Sequence, residues 1–129
     1  MKKGFLFLIL FILAFSVSAC SNEDDANTLV VGMECAYAPF DWTTSNQGDH
    51  TYPLYESNLY ADGYDVDVAR YLADQLDMTL VIKKIEWTGL IPALQNNVID
   101  VIISSMSPTD QRKESVLFSD EYYRVNTVM

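Results

Sequence analysis

The chain has 129 residues, 50% of them hydrophobic, and 18 acidic against 8 basic side chains give a formal charge of −10. That length suits one compact domain, and such an acidic surface argues against nucleic acid or anionic lipid as a direct partner. With 2 cysteines and 1 histidine there is no Cys/His cluster at metal-ligand spacing, so catalytic and metal chemistry find little support.

Lys2 and Lys3 form a basic start, and residues 5–15 make an uninterrupted apolar run. A bilayer span needs about 20 such residues, so the run fits a secretory signal instead. Val17-Ser18-Ala19-Cys20 looks like a bacterial lipobox, with Val where Leu is commoner. The expectation is a signal peptide over residues 1–19, cleavage before Cys20, and lipid attached to that cysteine. A plain signal peptide with an ordinary cysteine near its end is the competing reading. Residues 21–27 tip the balance towards lipid, because they are polar, acidic and free of apolar anchors, as a flexible tether would be. Each buried CH₂ contributes roughly 0.8 kcal/mol, so several acyl chains on one cysteine hold a protein stably on a membrane. Losing residues 1–19 leaves 6 basic against 18 acidic side chains. Cys35 is then without a cysteine partner and is expected to be a small packed residue.

Thr28 to Met33 is short and continuously apolar, as a buried strand is. Residues 34–42 form a loop punctuated by Pro39 and rich in aromatics. Residues 43–62 are polar and carry many turn formers, which predicts a long surface excursion with a hairpin between Tyr52 and Tyr60. Gly63-Tyr64-Asp65 opens a helix whose apolar positions are Val68, Leu72 and Leu76, flanked by Ala69 and Ala73. Asp65 is expected to cap it and Asp67 to complement its dipole. Residues 78–85 form a second strand. Thr88 is expected to cap a second helix through Leu90, Ile91, Leu94 and Gln95, with Pro92 in its first turn. Residues 100–103 are a third strand, residues 109–115 a short helix, and residues 124–129 a last extended run. Strands alternating with helices predict an α/β fold built on a parallel sheet.

The run Ser104-Ser105-Met106-Ser107-Pro108-Thr109-Asp110-Gln111-Arg112 is the richest in chemistry. Three serines cluster where a strand ends and a helix begins, and an arginine sits one turn in. Backbone N–H groups at a helix start favour an anion, and an arginine fork can grip a carboxylate bidentately. The run therefore suits a small carboxylate. An ordinary strand–helix loop with a capping Ser or Thr fits the run equally well on its own.

Gly63-Tyr64-Asp65-Val66-Asp67-Val68, followed by Leu72-Ala73 and Leu76, resembles the signature of bacterial extracellular solute-binding proteins of the polar amino-acid family. Further matches follow the family's order: Tyr37-Ala38-Pro39-Phe40, the run from Trp87 to Leu94, Ile99-Asp100, and Ser104 to Arg112 with Phe118-Ser119 and Tyr122-Tyr123 behind. The match covers nearly all of residues 29–129 and is weakest over 43–62. The resemblance implies a two-lobed, periplasmic-binding-protein-like receptor that captures an amino acid for the permease subunits of an ABC importer. It implies no cofactor and no enzyme activity, and a monomer when complete. The organisation expected is a signal peptide over 1–19, a lipidated Cys20 and acidic tether over 20–27, and a first lobe over 28–129. That lobe is expected to be a mainly parallel sheet flanked by helices, incomplete at its C-terminus and with the second lobe absent. Location follows as extracytoplasmic, lipid-anchored at a cell surface or in a periplasm.

Residue by residue, the resemblance implies that Arg112 pairs with the ligand α-carboxylate and that Ser107 offers N–H and hydroxyl to carboxylate or ammonium. Ser105 and the carbonyl of Ser104 help bind the ammonium and line the floor. Tyr37 and Trp87 sandwich the ligand side chain, and Glu34 lies close to it. For a cationic side chain, aromatic walls add about 0.5–2 kcal/mol of cation–π attraction, and Glu34 inclines the site to a basic or polar amino acid. Packing roles are the alternative for Tyr37 and Trp87, and a solvated loop carboxylate for Glu34. With one lobe alone, binding is expected to be weak. Two other functions remain open at this point: a periplasmic dehydratase-like enzyme on the same fold, and the ligand-sensing module of a receptor.

Overall fold

The computed structural model describes residues 27–124; the expected signal peptide, lipidated Cys20, most of the tether and the final run lie outside them. Strand β1 (Thr28–Met33) is the centre of a three-stranded parallel sheet, with β6 (Thr79–Lys84) on one side and β7 (Val101–Ile102) on the other. The register pairs Thr28 with Thr79 through Met33 with Lys84, and Val31 with Val101. A central parallel strand is covered on both faces, which is why β1 is a continuous apolar run without alternation. Its Val31 and Met33 are fully buried. Gly32 lies under the tip of the Ile99 side chain, which would have to shift to admit a Cβ there.

Helix α1 (Tyr64–Leu76) runs between the two sheets' strands and buries Val66, Ala69 and Ala73. Small residues face inward and let the helix approach closely, while Val68 and Leu72 pack half-buried beside them. The expected stripe is thus rotated: Leu76 points outward and is half exposed. The helix stops at Asp77, which adopts a left-handed conformation (φ 54°) while the Met78 N–H returns to the Ala73 carbonyl at 3.0 Å. Helix α2 (Trp87–Gln95) is capped at Glu86, two residues before the Thr88 cap expected, and Thr88 lies inside it. Pro92 is consequently in the helix interior and not the first turn, where it removes one intrahelical donor. Leu90 of the same helix is fully buried.

The polar excursion holds more structure than its composition suggests. Strands β2 (Ala36–Tyr37), β3 (Asp41–Thr44), β4 (Tyr52–Pro53) and β5 (Tyr60–Asp62) form an antiparallel sheet in the order β2-β3-β5-β4. The hairpin expected between Tyr52 and Tyr60 is the β4–β5 pair, with Pro53 on the edge strand where its missing N–H costs nothing. This second sheet shields the open edge of β6. Leu54 bridges to Ile82, the Tyr55 N–H donates to the Ile82 carbonyl at 2.8 Å, and the Tyr52 hydroxyl donates to the Leu80 carbonyl at 2.8 Å. One core therefore joins both sheets to α1, running through Leu29, Val31, Leu54, Ala61, Val66 and Ile82. At β7, Asp100 and Ile103 extend the contact with β1 beyond the strand itself, donating N–H groups to the Val30 and Gly32 carbonyls. The last helix, α3 (Asp110–Lys113), is a single turn, shorter than expected.

Candidate functional site

The carboxyl ends of the three parallel strands lie side by side, the place where α/β sheets bind ligands. Strand β1 runs into Glu34, β6 into Trp87 at the start of α2, and β7 into the serine run. The sheet thus gathers into one rim residues 70 positions apart in the chain, as when the Glu34 N–H donates to the Ser104 hydroxyl at 3.0 Å.

Ser104 is buried, and its hydroxyl donates to Asp41 Oδ2 at 2.5 Å. Asp41 is itself fully buried in β3, and its other oxygen accepts the Ala36 and Tyr37 N–H groups at 3.3 and 3.4 Å. One carboxylate thereby ties the β1–β2 turn to the floor of the site. Ser105 adopts a left-handed backbone (φ 50°), uncommon outside glycine. Its hydroxyl donates to Asp65 Oδ2 at 2.9 Å and its N–H to the Tyr122 hydroxyl at 3.2 Å. Tyr122 completes the triangle by donating to Asp65 Oδ1 at 3.0 Å.

Asp65 is not the helix cap that its position suggests. Gly63 holds the cap position (φ 125°) without a side-chain bond, and the first helix amides go to backbone carbonyls: Tyr64 to Pro39 at 3.2 Å and Asp65 to Phe40 at 2.8 Å. With those donors already satisfied, the Asp65 carboxylate turns inward. Burial raises its carboxyl above the ordinary value, and the Ser105 and Tyr122 hydroxyls pull the other way. Tyr122 is raised as well, by burial first and then by the Asp65 charge.

Arg112 sits half-buried in α3, its guanidinium 5.1 Å above the Trp87 ring, and its Nη1 donates to the Ser107 carbonyl at 2.9 Å. The stack and the hydrogen bond fix the fork at the mouth of the serine run. The helix start contributes less than expected. Its one turn carries little dipole, and the Thr109 hydroxyl already accepts the Arg112 N–H at 3.3 Å. Tyr37 is exposed and stacks on Phe40, with centroids 5.5 Å apart. Phe40 in turn meets Tyr64 and Tyr123 edge-on and is the hub of an aromatic rim. Tyr37, Phe40, Ser105, Ser107 and Tyr122 border an open depression of about 1040 Å³, which Glu34, Ser104, Trp87 and Arg112 do not line. Cys35 behind it is buried, its thiol pushed up to about 12 by desolvation and the Asp41 charge, so it is protonated and unreactive near neutrality.

Of the residues that sequence reasoning brought out, Ser107 and Trp87 are in contact with Arg112, while Ser104 and Ser105 bond to Asp41 and Asp65; the reasoning missed Asp41 and misassigned Asp65. Asp41 did carry a signal, as a lone carboxylate between Phe40 and Trp42 in an aromatic run.

A parallel-sheet lobe with such a rim is the architecture of a ligand-binding protein of the periplasmic-binding-protein type. Residues 29–129 match the bacterial extracellular solute-binding proteins, family 3, and the chain belongs to that family. It is an extracytoplasmic protein on that ground. It is 30% identical to the arginine-binding extracellular protein ArtP of Bacillus subtilis over 98% of this chain and 46% of that protein. With the L-arginine-binding protein of Pseudomonas aeruginosa it shares 34% identity over 86% of this chain and 38% of the relative. The chain thus spans less than half the length of these curated relatives. Among solved structures it resembles the arginine-bound form of domain 1 from TmArgBP, with a TM-score of 0.63 and 35% identity over 77% of this chain and 69% of that one. In that structure arginine is bound to domain 1.

Proposed function

We propose that this chain is the ligand-gathering lobe of a lipid-anchored receptor that captures an amino acid, basic or polar, for the permease subunits of an ABC importer. The observation that carries the reading is the alignment of Arg112, Trp87 and the serine run at the carboxyl ends of three parallel strands. An amino acid brings one anion and one cation, and burying either unpaired costs several kcal/mol. In this reading Arg112 takes the α-carboxylate with help from Ser107, and Ser105 with the Ser104 carbonyl receives the ammonium. Tyr37 and Trp87 wall the side chain and Glu34 faces its far end. The arginine-binding relatives support the basic choice. The leader over 1–19, the lipid on Cys20 and the tether over 20–27 belong to the same proposal, as does the first-lobe assignment of 28–129.

Calorimetric titration of the chain with the twenty amino acids tests the ligand. The expected result is saturable binding of arginine or lysine in preference to glutamate; preference for an acidic amino acid, or none for any, would sink the reading. Replacing Cys20 with Ser should move the protein from the detergent phase to the aqueous phase on partitioning.

A further inference from the structure

We propose that Asp65 and Tyr122 are positioning residues that make Ser105 an acceptor-only end of the site, and so dictate which way round a zwitterion binds. The inference rests on the reading above that Ser105 faces an amino acid.

The hydrogen-bond inventory around Ser105 carries it. A serine offers one hydroxyl donor, two hydroxyl lone pairs, and one backbone N–H. Asp65 Oδ2 takes the hydroxyl hydrogen at 2.9 Å, and the Tyr122 oxygen takes the N–H at 3.2 Å. Both donors are therefore spent inside the protein. What Ser105 has left for a ligand is hydroxyl lone pairs, which suit an ammonium and repel a carboxylate. The direction of each bond is fixed. Asp65 receives two hydroxyls, one on each oxygen, and a carboxylate acting this way is acceptor only. Tyr122 has one hydrogen and gives it to Asp65 Oδ1 at 3.0 Å, so its oxygen can only accept from the Ser105 amide.

The surroundings hold this wiring in place. Asp65 is fully buried at the start of α1, and the Tyr64 hydroxyl donates to the Tyr122 carbonyl at 3.2 Å. The left-handed backbone of Ser105 costs about 1–3 kcal/mol and persists because both of its donors are pinned. At the opposite end of the run, Arg112 presents donors only. The site thus has an acceptor pole at Ser105 and a donor pole at Arg112, and Asp65 with Tyr122 sets the first.

The test uses the full chain and two probes, L-arginine and its analogue lacking the α-amino group, each titrated calorimetrically. The readout is the ratio of the two dissociation constants, which a general loosening of the fold leaves unmoved. Tyr122→Phe frees the Ser105 N–H towards the ligand, and the preference for the amine-bearing probe should fall about tenfold, the worth of one hydrogen bond to a charged group. Asp65→Asn should lower it similarly. Because Asp65 is buried, that variant can fail to fold; Tyr122 is 41% exposed, and its variant then decides. Ser105→Ala removes the hydroxyl lone pairs but keeps the N–H, and should by itself lower the preference for the amine-bearing probe. A ratio unchanged by Tyr122→Phe, or unchanged by Ser105→Ala, overturns this inference alone. Failure of the wild-type chain to prefer arginine over the analogue overturns both it and the reading on which it rests.

Discussion

Removing the Asp41 carboxylate should loosen the lobe measurably, because three donors converge on it. The Ser104 hydroxyl at 2.5 Å is at the short end of O–H···O bonds, whereas the Ala36 and Tyr37 amides at 3.3 and 3.4 Å lie beyond the optimum. Leaving a buried donor unsatisfied costs about 1–3 kcal/mol. Weighting the hydroxyl fully and the long amide bonds lightly gives about 2–4 kcal/mol for Asp41→Ala, a large share of the ~5–15 kcal/mol that holds a domain together. Asp41→Asn keeps one acceptor oxygen and should cost about half as much. Urea unfolding followed by the fluorescence of Trp42 and Trp87 measures both. The decisive comparison is a double-mutant cycle with Ser104→Ala. Residues sharing a buried bond couple by about 0.5–3 kcal/mol, so strictly additive losses would refute the claim that Asp41 acts through Ser104.

Three further outcomes follow from the same geometry. Arg112→Ala should weaken amino-acid binding about 100-fold and Arg112→Lys about tenfold, since lysine keeps the charge and loses the fork; unchanged affinity in a calorimetric titration would remove Arg112 from the site. Glu34→Gln should weaken arginine or lysine about fivefold more than a neutral amino acid, the size of a partly solvated charge pair, and equal losses would exclude Glu34 from selectivity. Burial raises the Asp65 carboxyl above its ordinary 3.8, so just above that pH the native state keeps a proton the unfolded chain has released. Stability is then lost as pH rises through the window from the unfolded to the folded value. Asp65→Asn cannot titrate, and its unfolding free energy relative to wild type should therefore increase from acid towards neutral pH; a difference independent of pH would contradict the raised carboxyl.

Periodicity made the parallel half of the fold legible. A short continuous apolar run bounded by turn signals fits a doubly covered strand, and β1, α1, β6, α2 and β7 appear in the expected order. Beyond its β4–β5 hairpin the antiparallel sheet was not legible, because three of its four strands have only two or three residues and no period can be read from them. At the rim, Arg112, Trp87 and the serines are legible by their own chemistry, whereas the residues defined by distant partners are not. Ser104 lies 63 positions from Asp41, and Ser105 lies 40 from Asp65.

Asp65 shows how a sound local rule fails for a physical reason that the sequence does contain. An aspartate at a helix start caps when the first amides lack partners. Here Pro39 and Phe40 supply carbonyls to those amides, and their close approach leaves no room for a Cβ at the cap position, where one would strike the Phe40 carbonyl. Only glycine fits, in a conformation (φ 125°) that other residues avoid. Gly63 is thus the mark of a helix start already served by backbone. The carboxylate two residues on is released from capping and can be buried against the serine run, as its bonds to Ser105 and Tyr122 require. A glycine cap followed closely by aspartate therefore says more about the floor of this site than about the end of its helix.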